Sequence, residues 1–386
     1  MQIDKNDEIF FISKDANWQK YRNEVLSYFS LEYNIKVTVL TTGSKQAYLK
    51  EHKLLKYKIF KNWFSSTSKF NFFPLAILYV IRNRPKCVIA QNNVSNLTEY
   101  ILILACRLLN IKFLWWTHAY EHKPIRNYIK RKFKYKYVNF FLKQSKGIIT
   151  YSSKGKEFLI TKKFDRNKIF VANNTLDTEK LKAQREIIIR TTSREELIIK
   201  LFPNLDIKSK FIVFSGRVLE NKKLHNLIKS FEYVLRKYEL VNLIVIGDGS
   251  ELTNCINLAD ELNISDSVYF MGSVYEDDKL NEYLSISDVF VIPGLVGLSI
   301  IHAFAFGIPF ITERQVGHGP EIQYLKHNFN GFIVDEDNTI EMAETILSIL
   351  NDDRLFSYLS NNALQTFYED ASIKNMINSI YDAVNS

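Results

Sequence analysis

The chain has 386 residues, 46% of them hydrophobic and 24% charged. That length exceeds the ~250–300 residues at which a single core stops growing, so two globular domains are expected and a disordered or fibrous class is excluded. The formal charge of +9 conceals an asymmetry: residues 1–178 carry 32 Lys/Arg against 12 Asp/Glu, and residues 179–386 carry 19 against 30, so the basic half is expected to meet something anionic.

Cys87, Cys106 and Cys255 stand far apart in no metal or redox spacing, which points to core thiols of a reduced protein. The opening MQIDKNDEIFFIS has neither a basic leader nor a small-residue cleavage site. The longest apolar runs, residues 72–81 and 101–105, fall short of the ~20 residues that cross a bilayer. A cytoplasmic protein, peripheral on the inner face of the cell membrane, is expected.

From Glu8 onward, short apolar runs alternate with segments of helical period, the pattern of a parallel sheet with crossover helices. Strands are predicted at Glu8 to Ser13, Ile35 to Thr41, Cys87 to Gln91, Phe113 to Thr117, Ile148 to Tyr151 and Ile169 to Ala172. Helices are predicted at Asn17 to Ser30, Phe73 to Arg82, Asn96 to Leu109, Ile125 to Lys143 and Lys154 to Lys162. Ligands bind at the carboxyl ends of strands in doubly wound sheets, which makes Lys14, Asp15, Gln91, Asn92 and His118 candidates. For His118, directly after FLWWT, a hydrogen-bonded structural role is the alternative.

Residues 123–146 hold nine Lys/Arg and no acid, interleaved with Tyr128, Phe133, Tyr135, Tyr137, Phe140 and Phe141. Such a basic amphipathic helix suits an anionic membrane surface. The alternative is a solvated basic helix whose aromatics face the core. Nucleic acid ranks last, because no recognition motif accompanies the charge, and no nucleic-acid partner is expected.

The alternation lapses between Asn173 and Phe202, so residues 179–207 are read as a linker or insertion. It resumes with strand Ile212 to Phe214, helix Lys223 to Lys237, strand Leu243 to Ile246, helix Glu251 to Leu262 and strand Val268 to Phe270. The stretch VIPGLVGLSIIHAFAFG, Val291 to Gly307, then reads as strand, glycine loop and buried helix. Its helix start suits an anion, and His302 is the one polar side chain of that helix after Ser299. Arg217 and Lys222, in the turn SGRVLENKK, are placed to hold a diphosphate against Gly297, Leu298 and Ser299. Taken alone, two basic loop residues are merely solvated.

The segments GRVLENKKLHNLIKSF, LIVIGDGSEL, SVYFMGSV, LSISDVFVIPGLVGLSIIHAFAFGIPFIT and GPEIQYLKHNFNGFIVD follow one another in the order and spacing of the retaining GT-B glycosyltransferases. The resemblance is to the nucleotide-sugar family that builds bacterial surface polysaccharides such as O-antigen and capsule. It is strong over residues 208–340 and weaker over the N-terminal half. It implies two doubly wound Rossmann-like domains facing each other across a cleft, an N-terminal acceptor-side domain over residues 1–178 and a nucleotide-sugar-binding domain over 208–360. Residues 361–386 would form a helix returning to the first domain.

The resemblance further implies that Arg217 and Lys222 neutralise the donor diphosphate with help from the backbone of Gly297, Leu298 and Ser299. Val274 would pack on the nucleotide base, and His118 would point at the transferred sugar. No metal or other cofactor is implied, because side chains supply the positive charge. The acceptor would be a glycan or lipid-linked glycan, with Lys14, Asp15, Gln91 and Asn92 on its side. A contact of residues 123–146 with an anionic membrane fits that acceptor.

Two glutamates eight residues apart are usual in the family, and Gly294 and His302 occupy their places here. Either this is a working variant, in which His302 bonds a ribose hydroxyl, or activity is lost and the chain is a non-catalytic nucleotide-sugar or glycan-binding partner. An epimerase on the same fold would need cleft carboxylates that the sequence does not place. Asp335, Glu336 and Asp337 read as a solvated loop, and Glu321 as a first-turn acid.

Overall fold

The computed structural model describes residues 8–13, 20–42, 54–64, 70–91, 93, 95–119, 128–274 and 276–386, with the backbone alone at 20, 21 and 128–134. They form two compact units, one of Met1–Asp177 with Ile373–Ser386 and one of Thr178–Ser372.

The first unit runs β1 (Glu8–Ile12), α1 (Lys20–Tyr33), β2 (Lys36–Thr42), β3 (Leu55–Phe60), α2 (Pro74–Asn83), β4 (Cys87–Ala90), α3 (Leu97–Leu108), β5 (Lys112–Thr117), α4 (Tyr128–Leu142), β6 (Gly147–Thr150), α5 (Ser153–Thr161) and β7 (Ile169–Val171). Its seven strands are parallel in the order β3-β2-β1-β4-β5-β6-β7. Both sheet faces are covered, so the strands read as unbroken apolar runs. The two-residue period divides them: Ile9, Phe11, Leu114 and Trp116 join one core cluster, and Phe10, Ile12, Phe113 and Trp115 the other. Strand β3 is absent from the sequence reading. It is an edge strand whose LKYKIF places Lys56 and Lys58 outward, which hides it among polar residues and blunts the edge.

The second unit opens with α6 (Thr178–Thr191) and α7 (Arg194–Leu201). There follow β8 (Lys210–Ser215), α8 (Leu224–Lys237), β9 (Val241–Ile246), α9 (Leu252–Glu261), β10 (Val268–Gly272), α10 (Asp277–Ser285), β11 (Val289–Val291), α11 (Ser299–Ala305), β12 (Phe310–Glu313), β13 (Gly331–Val334), α12 (Thr339–Asn351) and α13 (Asp353–Glu369). Six parallel strands lie in the order β10-β9-β8-β11-β12-β13.

The stretch read as a linker or insertion, 179–207, holds two helices that belong to this unit. Ser193 and Glu196 form a reciprocal capping box at the start of α7. Arg194 then ties α7 to the sheet, donating to buried Asp288 at 2.8 Å and to the carbonyls of Ser209 and Ile286. Helix α6 holds α10 through Lys180 to Asp277 at 2.5 Å and Gln184 to Asp278 at 3.1 Å.

The last helix, α14 (Ile373–Asn385), belongs to the first unit. The return therefore begins at Ile373 and not at 361, since 361–369 finish α13. Ile373, Met376, Ile377, Ile380, Ala383 and Val384 form a 3.6-period stripe that joins Phe11, Leu114 and Trp116 in one cluster. All three cysteines are buried and free. No helix among the described residues is long and apolar enough to cross a membrane.

Candidate functional site

In each sheet the strand order reverses beside the first strand, between β1 and β4 and between β8 and β11. Chain segments leaving neighbouring strands part there and open the crevice in which ligands of such folds bind. In the second unit the β8 loop, 216–223, lies against the β11 loop, 292–298. The amides of Gly294 and Leu295 donate to the carbonyls of Lys222 and Asn221 at 3.0 and 2.9 Å. A Cβ at Gly294 would stand 2.1 Å from the Asn221 carbonyl oxygen and 2.6 Å from Lys222 Cα, so the loop fills the space that a side chain would need. The adjoining β9 turn is as close: a Cβ at Gly247 would meet the Gly216 oxygen at 1.9 Å.

This contact aims the two lysines of the β8 loop in different directions. Lys222 is partly buried and its Nζ donates to the Leu295 carbonyl on the glycine loop. Burial pulls its pKa down, and the Arg217 guanidinium adds to that pull against the carboxylate of Glu321. Exposed Arg217 and Lys222 thus form a cation pair at the carboxyl end of β8. Lys223 sits in the left-handed region, with φ 53° and ψ 38°, at the start of α8. Its Nζ reaches Glu313 at 2.9 Å, Glu336 at 2.9 Å and Asp337 at 2.7 Å, and Asn226 donates to Glu313 and Asp337. Burial lowers the Lys223 pKa, but bonds to Asp337, Glu313 and Glu336 outweigh it and raise the value well above that of an ordinary lysine. The acid loop expected to be idle is therefore in part a clamp, in which Glu336 and Asp337 hold Lys223 against the fully buried Glu313.

The glycine loop is held from its other side. His318 Nδ1 accepts from the Val296 amide at 3.1 Å, and His318 Nε2 lies 3.0 Å from the Glu313 carbonyl oxygen. A carbonyl only accepts, so Nε2 carries the proton. Glu321, read as a first-turn acid, does lie in the first turn of a short 3-10 helix at Pro320–Tyr324, where it is buried beside Gly319 and also acts on Lys222.

Helix α11 has seven residues, from Ser299, with Leu298 before it and no side-chain cap. So short a helix sums few peptide dipoles, which leaves positive charge here to Arg217 and Lys222. Ile300, Ile301, Ala303, Phe304 and Ala305 are buried and fix the helix on the sheet. His302 Nδ1 is buried without a hydrogen-bond partner. Burial pushes the His302 pKa down to about 4, against the charge of Asp277, so the ring is neutral near pH 7. Asp277 opens α10, three residues after half-buried Val274. The structure thus gathers Arg217, Lys222, Gly294, Gly297, Leu298, Ser299, His302 and Val274 at the carboxyl ends of β8, β10 and β11.

Lys14, Asp15, Asn92, residues 120–127 and the side chains of 128–134 lie outside the described residues. Gln91 and His118 belong to the first unit, at the ends of β4 and β5. His118 leans on Tyr151 with ring centroids 4.5 Å apart, Tyr151 stacks on Trp116 at 5.3 Å, and Arg22 lies over both of the latter rings. A Cβ at Gly155 would press to 3.1 Å from the His118 carbonyl oxygen, so α5 starts close against the β5 turn. Fully buried Glu99, in the first turn of α3, accepts from the Asn93 amide and from Asn96 Nδ2, each at 2.9 Å. It ties down the turn that follows Gln91.

Sequence spacing does not single out Glu99, Lys223, Glu313 or His318. The signal for Glu99 is the lone acid inside LTEYILIL. Lys223 and Glu313 depend on each other across 90 positions, and His318 depends on Val296 of the glycine loop, 22 positions before it.

The sequence matches the Glycosyltransferase Family 4 family over residues 31–180 and the Glycosyl transferases group 1 family over residues 198–366. An uncharacterized glycosyltransferase of Haemophilus influenzae is 27% identical over 210 residues, 53% of this chain and 57% of that protein. The Staphylococcus aureus capsular polysaccharide biosynthesis glycosyltransferase CapM is 29% identical over 161 residues, 40% of this chain and 41% of CapM. The chain thus spans about half the length of these curated relatives. The crystal structure of Anabaena Alr3699/HepE in complex with UDP superposes with a TM-score of 0.75 at 15% identity, over 98% of this chain and 99% of that one. Two parallel-sheet units, the first matching the Glycosyltransferase Family 4 model and the second the Glycosyl transferases group 1 model, give this chain the GT-B fold.

Proposed function

We propose that this chain transfers a sugar, with retention, from a nucleotide-diphosphate donor to a hydroxyl of a glycan or lipid-linked glycan in bacterial surface polysaccharide synthesis, without a metal. The observation that carries this reading is the Arg217 and Lys222 pair set against the glycine loop. In the transfer, the bond from the anomeric carbon to the diphosphate breaks and a bond to the acceptor oxygen forms. The acceptor proton ends on the released diphosphate. Negative charge grows on that diphosphate as it leaves, and fixed cations beside it lower the barrier most. Neutral His302 offers its unpartnered Nδ1 to a ribose hydroxyl, Val274 packs on the base, and the transferred sugar is assigned to His118. The acceptor belongs to the first unit, near Gln91, and residues 123–146 contact anionic lipid.

The absence of both family glutamates favours a second reading, a binding partner without turnover. One set of measurements separates the two: thermal shift with UDP and GDP, then turnover over a panel of their sugars. Wild type is expected to bind one diphosphate and to turn over its sugar. Lys222→Ala is expected to lose turnover by orders of magnitude with an unchanged circular dichroism spectrum. His302→Ala should weaken nucleotide binding by about tenfold, one hydrogen bond's worth. Near wild-type rates in Lys222→Ala would overturn the diphosphate assignment, and nucleotide binding with no turnover of any sugar would favour the second reading.

A further inference from the structure

Helices α2, α3 and α4 cover one face of the first sheet and pack side by side, α2 against α3, with Tyr100 of α3 against Tyr137 and Phe141 of α4. Their inward stripes are ordinary core. Their outward side chains are not those of a solvated surface. On α2 the exposed residues are Leu75, Leu78, Arg82 and Asn83, and on α3 they are Ile101, Leu104, Arg107 and Leu108. Leu108 is 86% exposed and Leu78 60%. The spacing 75, 78, 82 on one helix and 101, 104, 108 on the other puts each set on one stripe. On the described part of α4, Lys136, Tyr137 and Phe140 are exposed, and Lys143 follows just beyond the helix. These three helices contain a single acid, Glu99, and it is buried. Apolar side chains clustered at this density on a folded surface mark an interaction site.

We propose that the outward faces of α2, α3 and α4 together form a docking surface for an anionic lipid bilayer. Leu75, Leu78, Ile101, Leu104 and Leu108 enter the headgroup boundary, and Arg82, Arg107, Lys136 and Lys143 meet the lipid phosphates. Charge selects this occupant. Every charged side chain exposed on these described helix faces is cationic, and the first unit carries 33 Lys/Arg against 13 Asp/Glu. A second copy docked face to face would oppose like charges, whereas anionic lipid accepts both the cations and the leucines. The surface reaches well beyond residues 123–146. It also has a use: Glu99 fixes the turn after Gln91 at the start of the same α3 whose later residues meet lipid, so a lipid-linked acceptor arrives beside that turn. That use rests on the proposed transfer reaction; the docking itself does not.

The test is co-sedimentation of the full chain with phosphatidylcholine vesicles made with or without phosphatidylglycerol, in the absence of any sugar nucleotide. The variants are Leu104→Asp with Leu108→Asp, and as a control Ile187→Asp with Ile189→Asp, exposed residues of α6 in the other unit. Circular dichroism, with tryptophan emission for the first unit, checks that each variant is folded. Wild type and control are expected to bind anionic vesicles alike, and the α3 variant at least tenfold more weakly. Equal binding by the α3 variant overturns the proposal, as does equal binding of wild type to neutral vesicles. A wild-type dimer that the α3 substitutions dissociate would assign the face to a second copy instead. Nucleotide thermal shifts unchanged in the α3 variant would keep this outcome distinct from any failure of the donor site.

Discussion

A carboxyl with no exposed surface, such as that of Glu99, holds its proton to higher pH because burial penalises the anion. Here the value is pushed up to about 8, although the amides of Asn93, Asn96 and Gln91 bond to it and pull the other way. Stability then depends on pH with a definite sign. The unfolded chain releases this proton near 4.5 and the folded chain near 8, so between those values the folded state binds more protons and loses stability as pH rises. All four tryptophans lie in residues 1–177, so their emission reports this unit alone. Urea midpoints read from tryptophan emission should fall for wild type between pH 5 and pH 8, about the window above, and should fall less in Glu99→Gln. The same slope in both proteins would mean that Glu99 is ionised throughout.

The β8 loop and its clamp show how an element depends on one residue. Lys223 takes a left-handed conformation that costs a non-glycine residue roughly 1–2 kcal/mol, and its three carboxylate partners hold it there. Because Lys223 is turned toward Glu313, Lys222 is turned toward the glycine loop. Lys223→Ala keeps the unfavourable backbone and leaves the buried carboxylate of Glu313 without its lysine. The expected loss is on the order of 2–3 kcal/mol, discounted from a fully buried pair because Glu336 and Asp337 are exposed. Lys223→Gly relieves the backbone and should recover part of it. Urea unfolding followed by circular dichroism should rank wild type above Lys223→Gly above Lys223→Ala, with tryptophan midpoints unchanged. Equal midpoints in all three would show that the clamp holds nothing.

Elements of this kind mark the limit of what was legible in the chain. The buried strands and the α8 and α11 helices announce themselves through local apolar period, and the glycine loop through Pro293 and Gly294. Strand β3 and helices α6 and α7 do not, because each shows a polar face outward and is held by distant partners such as Asp277 and Asp288. The cation pair could be read from one turn of sequence. Its support by Lys223 and Glu313 could not, since a chain read in order does not reveal which residues 90 or more positions apart will meet.

At the scale of the whole molecule the most consequential placement is α14. The first unit takes its last 14 residues from the far end of the chain, after the entire second unit. Until they are made, Phe11, Leu114 and Trp116 lack the stripe of Ile373, Met376, Ile377 and Ile380 that closes their cluster. Lys112 fixes the end of the helix, donating to the Val384 carbonyl at 2.9 Å. Folding of the first unit during synthesis is therefore expected to wait for α14, made only after the second unit, which is itself contiguous in sequence. Ile380→Asp places an unpaired charge in this cluster, a change that costs more than about 4 kcal/mol where the site cannot open to water. The expected result is red-shifted tryptophan emission and a much lower tryptophan midpoint, with a separate, wild-type transition of the second unit retained in circular dichroism. An unchanged tryptophan midpoint would mean that the first unit folds without α14. Loss of both transitions together would mean that the two units unfold as one.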